Sequence, residues 1–159
     1  MGSGKSTVGR ILAQELDTFF IDSDSLIEAR EGIDIPTIFA EKGEAYFREE
    51  ERRCLEWMHR SLKGTVISTG GGLPMHATGL DKVGRIVFLK SDIETLIKRI
   101  GHDTTNKRPL AEQPEQIRTI YDIRLASYEG LSELTVDANR PPEDVAQDIL
   151  SRLFPDRTA

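Results

Sequence analysis

A single cysteine, Cys54, leaves no partner for an internal disulfide. Its flank, Arg53-Cys54-Leu55-Glu56-Trp57, reads as part of an amphipathic helix that buries the thiol as an apolar group. One cysteine fits a reducing compartment, and a cytoplasmic protein is expected. The three histidines, His59, His76 and His102, are scattered without metal-ligand spacing, which speaks against a zinc or iron centre. No apolar run approaches the roughly 20 residues of a membrane span, and no signal-peptide pattern is present. Basic residues are in deficit, 21 Lys and Arg against 27 Asp and Glu, for a net charge of −6. That balance argues against non-specific binding to nucleic acid, whose phosphates need a basic face. It leaves room for a small anionic ligand, because a site can be locally basic in an acidic protein.

What is present reads as one soluble domain. The 159 residues, 38% hydrophobic and 30% charged, are enough to bury roughly two thirds of the unfolded surface. Strand-like and helix-like stretches alternate without internal repeats, which predicts an α/β domain with a largely parallel sheet. Helices are expected over 6–16, about 44–62, 93–100, 117–128 and from Pro141 to about Phe154. Short strands are expected over 18–22, 65–69, 85–89 and 134–137. The polar stretch 101–113, with Arg108-Pro109, reads as a lid-like connection rather than a core element.

Two constellations carry chemistry. Gly2-Ser3-Gly4-Lys5-Ser6-Thr7 matches the end of the phosphate-binding pattern Gly-x-x-x-x-Gly-Lys-[Ser/Thr], with a helix directly behind it. In such a loop, backbone N–H groups and the helix N-terminus surround nucleotide phosphates. Lys5 would reach the β- and γ-phosphates and the Ser6 hydroxyl would ligate Mg²⁺. Asp22-Ser23-Asp24 follows the second of these elements, at the carboxyl end of a strand where open α/β sheets bind ligands. On an extended segment, carboxylates two residues apart point the same way and could face one ligand or metal. The competing reading is a helix N-cap followed by a solvated acid.

Further motifs lie downstream. Phe39-x-x-x-Gly43-Glu44-x-x-Phe47-Arg48 is followed by Gly70-Gly71-Gly72 after a β-branched strand, then Arg108-Pro109-Leu110, then Arg124-x-x-x-Tyr128. Taken in order with the phosphate loop and Asp22-x-Asp24, these resemble the shikimate kinases over nearly the whole chain. The resemblance implies a three-layer α/β/α kinase domain whose parallel strands run 2-3-1-4-5. It implies transfer of phosphate from ATP to the 3-hydroxyl of shikimate, a step towards chorismate and the aromatic amino acids, with Mg²⁺ as cofactor.

The implied roles suit the chemistry. Arg48 and Arg124 match the positions that hold the shikimate carboxylate, which guanidinium groups bind through paired N–H donors. The backbone of Gly70, Gly71 and Gly72 could approach the ring closely because no side chain intrudes. Asp24 is the candidate to orient or deprotonate the acceptor hydroxyl, and Asp22 to join the Mg²⁺ shell, through water. Lys5 and Arg108 would stabilise the moving phosphoryl group, Arg108 arriving on the closing lid. Arg99 and Arg140 would flank the adenine. The expected partners are ATP and shikimate alone, with no nucleic acid or membrane, and the expected state is a monomer. A related kinase acting on gluconate, or a catalytically silent phosphate-binding module, are the alternatives.

The chain departs from the family pattern at its start. The first loop glycine would fall about two residues before Met1, and the leading strand, central in the order 2-3-1-4-5, is not in the sequence. Buried backbone groups without partners cost roughly 1–3 kcal/mol each, against a total stability of about 5–15 kcal/mol. This sequence alone is therefore expected to be poorly stable. The natural protein is expected to begin roughly ten residues upstream, room for a strand and a turn.

Overall fold

The computed structural model describes residues 2–102 and 114–157. Their helices are α1 (Lys5–Glu15), α2 (Ser23–Glu31), α3 (Ile35–Ser61), α4 (Leu73–His76), α5 (Ile93–His102), α6 (Pro114–Leu131) and α7 (Pro142–Leu153). The strands are β1 (Phe20–Asp22), β2 (Val66–Ser68), β3 (Val87–Lys90) and β4 (Leu134–Asp137). The strands pair in parallel, β1 with β2 and β3 with β4, Ile21 opposite Ile67 and Leu89 opposite Val136. Among the described residues no strand joins the two pairs.

Helices cover both faces because successive side chains of a strand point to opposite sides. On β2, Val66 packs with Val8 and Leu12 of α1 and with Ile149 and Leu150 of α7. Its neighbour Ile67 packs with Leu55 and Met58 of α3 and Leu73 of α4. A third cluster, Ile27, Ile38 and Phe47, fastens α2 to α3. Cys54 bridges the second and third clusters, and burial pushes its thiol up to about 11, so it is inert as a nucleophile. Between β2 and β3 lies a cavity of about 610 Å³, lined largely by apolar strand residues such as Val66 and Val87. Lys5, Gly71 and Arg124 are among its lining residues.

Helical stretches lie where the sequence patterning predicts none, the short α4 among them. Residues 23–31 form α2, started by Asp22, whose Oδ1 accepts from Asp24 N at 3.0 Å and Ser25 N at 3.2 Å. The helix closes at Gly32 in the left-handed region. The long α3 begins ahead of the expected start, capped by Asp34 accepting from Thr37 N, and is broken at Gly43 by φ 82°. The expected strand at 85–89 is displaced towards its C-terminal end, to Val87–Lys90. The expected lid around 101–113 falls, beyond the end of α5, outside the described residues.

Helix α1 seats tightly on β1. A Cβ on Gly9 would stand 2.5 Å from the Phe20 ring, so only glycine lets the helix lie at this distance. Gly9→Val should therefore destabilise the fold by about 1–3 kcal/mol, seen as a lower denaturant midpoint at unchanged m-value. An unaltered midpoint would show that the helix has room to shift.

Candidate functional site

The phosphate loop and α1 form the first wall. Gly2 and Gly4 both take positive φ, which turns the chain abruptly into α1 at Lys5. No side chain caps α1 at Gly4, and a helix N-terminus is the kind of end that suits an anion. Ser6 lies one residue into the helix, and its hydroxyl donates to Asp22 Oδ2 across 3.4 Å. Ser3 stands in the loop, and Thr7 is exposed on the first turn. Arg99 of α5 reaches back to this wall, donating to Ala138 O at 3.1 Å and Gly2 O at 3.5 Å. Arg140 turns instead to α7, where Asp148 Oδ2 accepts from it at 2.6 Å.

The second wall is built around the turn after β2. Here the expectation that Asp22 and Asp24 sit on one extended segment is corrected. Asp22 is the N-cap of α2 and Asp24 stands in its first turn, because the Asp22 carboxylate satisfies the helix's open N–H groups. The capping reading holds for Asp22, whose Oδ1 caps the helix while its Oδ2 accepts from Ser6. Asp24 projects onto the glycine turn: a Cβ on Gly70 would collide with its Oδ1. Buried Ser23 fixes the same glycine, accepting from Gly70 N at 3.0 Å.

Gly72 makes room for Arg48 in the same manner, a Cβ there standing 2.5 Å from Nη1. The Arg48 guanidinium is oriented by two carboxylates that the patterning did not single out for this task. Glu44 Oε1 accepts from Nε at 3.1 Å and Nη2 at 2.7 Å, and Glu51 Oε2 accepts from Nη1 at 2.7 Å. Of the guanidinium's N–H groups this leaves one on each terminal nitrogen for a ligand. The rings of Phe39 and Phe47 lie against the same group, which accounts for the aromatic positions of the motif.

Arg124 on α6 belongs to this cluster. Its charge acts on Glu44, Glu51, His76 and Tyr128. Burial pushes the Glu51 carboxyl above the usual range, although Arg48 pulls the other way. Burial, and then the Arg48 charge, holds the His76 imidazole below its ordinary value. Burial raises Tyr128 against the pull of Arg124, so the phenol keeps its proton. Glu44, Glu51 and His76 are the site residues that sequence reasoning passed over. The i,i+4 and i,i+3 spacing of Glu44 and Glu51 from Arg48 was the available signal for two of them. Arg108, expected on a lid, lies outside the described residues.

The described residues thus bring together a phosphate loop, a Ser6–Asp22 oxygen pair, Asp24, the glycine turn and two arginines. Among them, no helix is long and apolar enough to cross a membrane. Comparison with known proteins agrees with this arrangement. A family model described as shikimate kinase matches residues 1–154. A shikimate kinase of Sulfurihydrogenibium sp. is 40% identical, covering 96% of this chain and 93% of the relative. One from Pseudomonas paraeruginosa is 42% identical, covering 96% and 91%. Among solved structures, the Acinetobacter baumannii shikimate kinase in complex with shikimate superposes with a TM-score of 0.89 at 35% identity, covering 100% of this chain and 91% of that one. The Aquifex aeolicus enzyme gives 0.84 at 36% identity, covering 98% and 93%. With its parallel strands, its phosphate loop and matches of this extent, the chain belongs to the shikimate kinase family.

Proposed function

We propose that this protein transfers the γ-phosphate of ATP to the 3-hydroxyl of shikimate. The observation that carries the reading is the meeting of Asp24 and Arg48 at the two ends of the Gly70–Gly72 turn. A carboxylate that can take a proton and a guanidinium that can hold an acid group are thereby brought against one short turn from two different helices. Shikimate offers a hydroxyl and a carboxylate on one ring, which suits that pair.

The division of labour follows from the charges. Arg48, with its remaining N–H groups, and Arg124 bind the substrate carboxylate, and the backbone of Gly70, Gly71 and Gly72 lies against the ring. Asp24 accepts the hydroxyl proton as the bond to phosphorus forms, which makes the oxygen a competent nucleophile. Gly2, Ser3, Gly4 and Thr7 line the phosphates with the α1 N-terminus, Lys5 offsets charge on the transferred group, and Arg108 does so from the lid. Arg99 and Arg140 border the nucleotide base. Ser6 and Asp22 offer two hard oxygens, a fit for Mg²⁺, which keeps several waters and takes few protein ligands. Bound there, the ion would offset phosphate charge. Phosphoryl transfer of this kind is mainly positioning, so exclusion of water by a lid over 101–113 is part of the same design.

A gluconate kinase would also use a carboxylate anchor. A compact, closed ring against three glycines favours shikimate over a flexible open chain. A silent binding module has no use for Asp24 beside the acceptor. ADP release in the presence of shikimate, and its absence with gluconate, is the expected result. Release with gluconate alone would favour the other kinase, and silence with both the module.

Asp24→Asn should lower kcat by about 10²- to 10⁴-fold, the usual share of a general base, with little change in shikimate affinity. Arg124→Ala should raise the shikimate KM by about 10- to 100-fold, the worth of a charged hydrogen bond, and an unaltered KM would contradict the carboxylate assignment. Lys5→Ala should chiefly weaken use of ATP. Shikimate should also raise the pKa of His76, since an added anion offsets the Arg48 and Arg124 charges that disfavour imidazolium. An NMR titration of the imidazole with and without shikimate measures this. Superimposable curves would place the acid group elsewhere.

A further inference from the structure

We infer that Tyr128 is a positioning residue for the substrate half of the site: its hydroxyl sets the orientation of the Gly71–Gly72 peptide and ties the glycine turn to α6. The inference rests on the shikimate reading above and deepens it. Tyr128 touches no reacting atom and acts through the turn.

Its hydroxyl donates to Gly71 O at 2.5 Å, across 57 residues of sequence. The same oxygen lies beside the guanidinium of Arg124, one helical turn earlier on α6. Phe88 of β3 packs on the ring with centroids 5.2 Å apart, so the phenol has little freedom to swing. One side chain therefore connects β3, α6 and the turn after β2. The turn's ends are held elsewhere, Gly70 by Ser23 at its N–H and Leu73 N at its carbonyl, and Gly72 by Met75 N at its carbonyl; the Tyr128 bond fastens the peptide between them.

The consequence follows from the rigid peptide unit. In a trans peptide the carbonyl of one residue and the N–H of the next point in opposite directions, and the described chain has no cis bonds. Holding Gly71 O against Tyr128 thus turns Gly72 N–H the other way. It also keeps the negative end of that dipole from swinging towards an anionic ligand. Glycines have the widest choice of backbone states, so a turn of three needs such an external restraint to present donors in one arrangement. The same bond fixes the turn relative to Arg124, and Gly72 in turn abuts Arg48. Tyr128 thereby ties the turn that Arg48 abuts to the helix that carries Arg124.

Tyr128→Phe keeps the ring and its packing on Phe88 and removes only the hydroxyl. Two measurements on the full chain test the inference. Backbone ¹⁵N relaxation should show order parameters for Gly71 and Gly72 falling from rigid values near 0.85 towards the flexible range below about 0.6. Steady-state kinetics should show the shikimate KM rising about 3- to 10-fold, the worth of one lost hydrogen bond, with kcat and the ATP KM unchanged. A general loss of packing would move all three constants together and lower thermal stability, and that pattern overturns the inference. Order parameters identical to those of the unmodified protein overturn it as well, whatever the activity. A looser turn with unchanged shikimate KM also does so. If the unmodified protein has no shikimate-dependent turnover, the functional reading fails, and a looser turn in Tyr128→Phe would retain only the structural half. Tyr128→Leu, which loses ring and hydroxyl, should be less stable than Tyr128→Phe, separating packing from the hydrogen bond.

Discussion

The Gly70–Gly72 turn is the place where the substrate half of the molecule is decided, because side chains from two other elements occupy the space where its Cβ atoms would be. Asp24 comes from the first turn of α2 and lies over Gly70; Arg48 comes from α3 and lies over Gly72. Any side chain at either position would displace an acid or a cation from the site. The turn's shape is set in its own right by Ser23 at Gly70 N and Tyr128 at Gly71 O. A short stretch with almost no side-chain atoms thus becomes the rigid template against which charged groups are placed.

Charge in the site follows from that template. The protein is acidic overall, yet Lys5, Arg48, Arg99 and Arg124 are gathered on the two walls. Glu44 and Glu51 keep Arg48 from being an isolated half-buried cation, whose burial would otherwise be costly. They also set its plane, so that its remaining donors point in a fixed direction. On the opposite wall, α1 begins at Gly4 without a side-chain cap.

The architecture joins the walls through helices that cross from one strand pair to the other. Helix α1 packs on α7 and on β2, so the phosphate loop is anchored to both halves of the fold. Helix α6 meets α4 and α5, which brings Arg124 and Tyr128 over the turn after β2. The cavity between β2 and β3 has Lys5, Gly71 and Arg124, groups of the candidate site, in its lining.

Local patterning in the sequence was enough for the period and type of α1, α5, α6 and α7 and for β4 from Leu134 to Asp137, because their apolar residues fall on one face and their ends carry turn or proline signals. The residues of the candidate site were legible as types in order: Gly4-Lys5-Ser6, Asp24, Arg48, Gly70-Gly71-Gly72 and Arg124. Residues 23–31 escaped, since Asp22 looked like a ligand-facing acid on a strand, and one carboxylate can cap a helix through one oxygen and face Ser6 through the other. Only the tertiary structure decided which groups meet. Glu44, Glu51 and His76 acquire a part in the site by standing next to Arg48, and Tyr128 by reaching Gly71 from far along the chain. Spacing along a sequence specifies periodicity and capping, which are local; burial, the approach of a side chain to a glycine and the field of a neighbouring charge depend on distance in space, which only the packed chain defines.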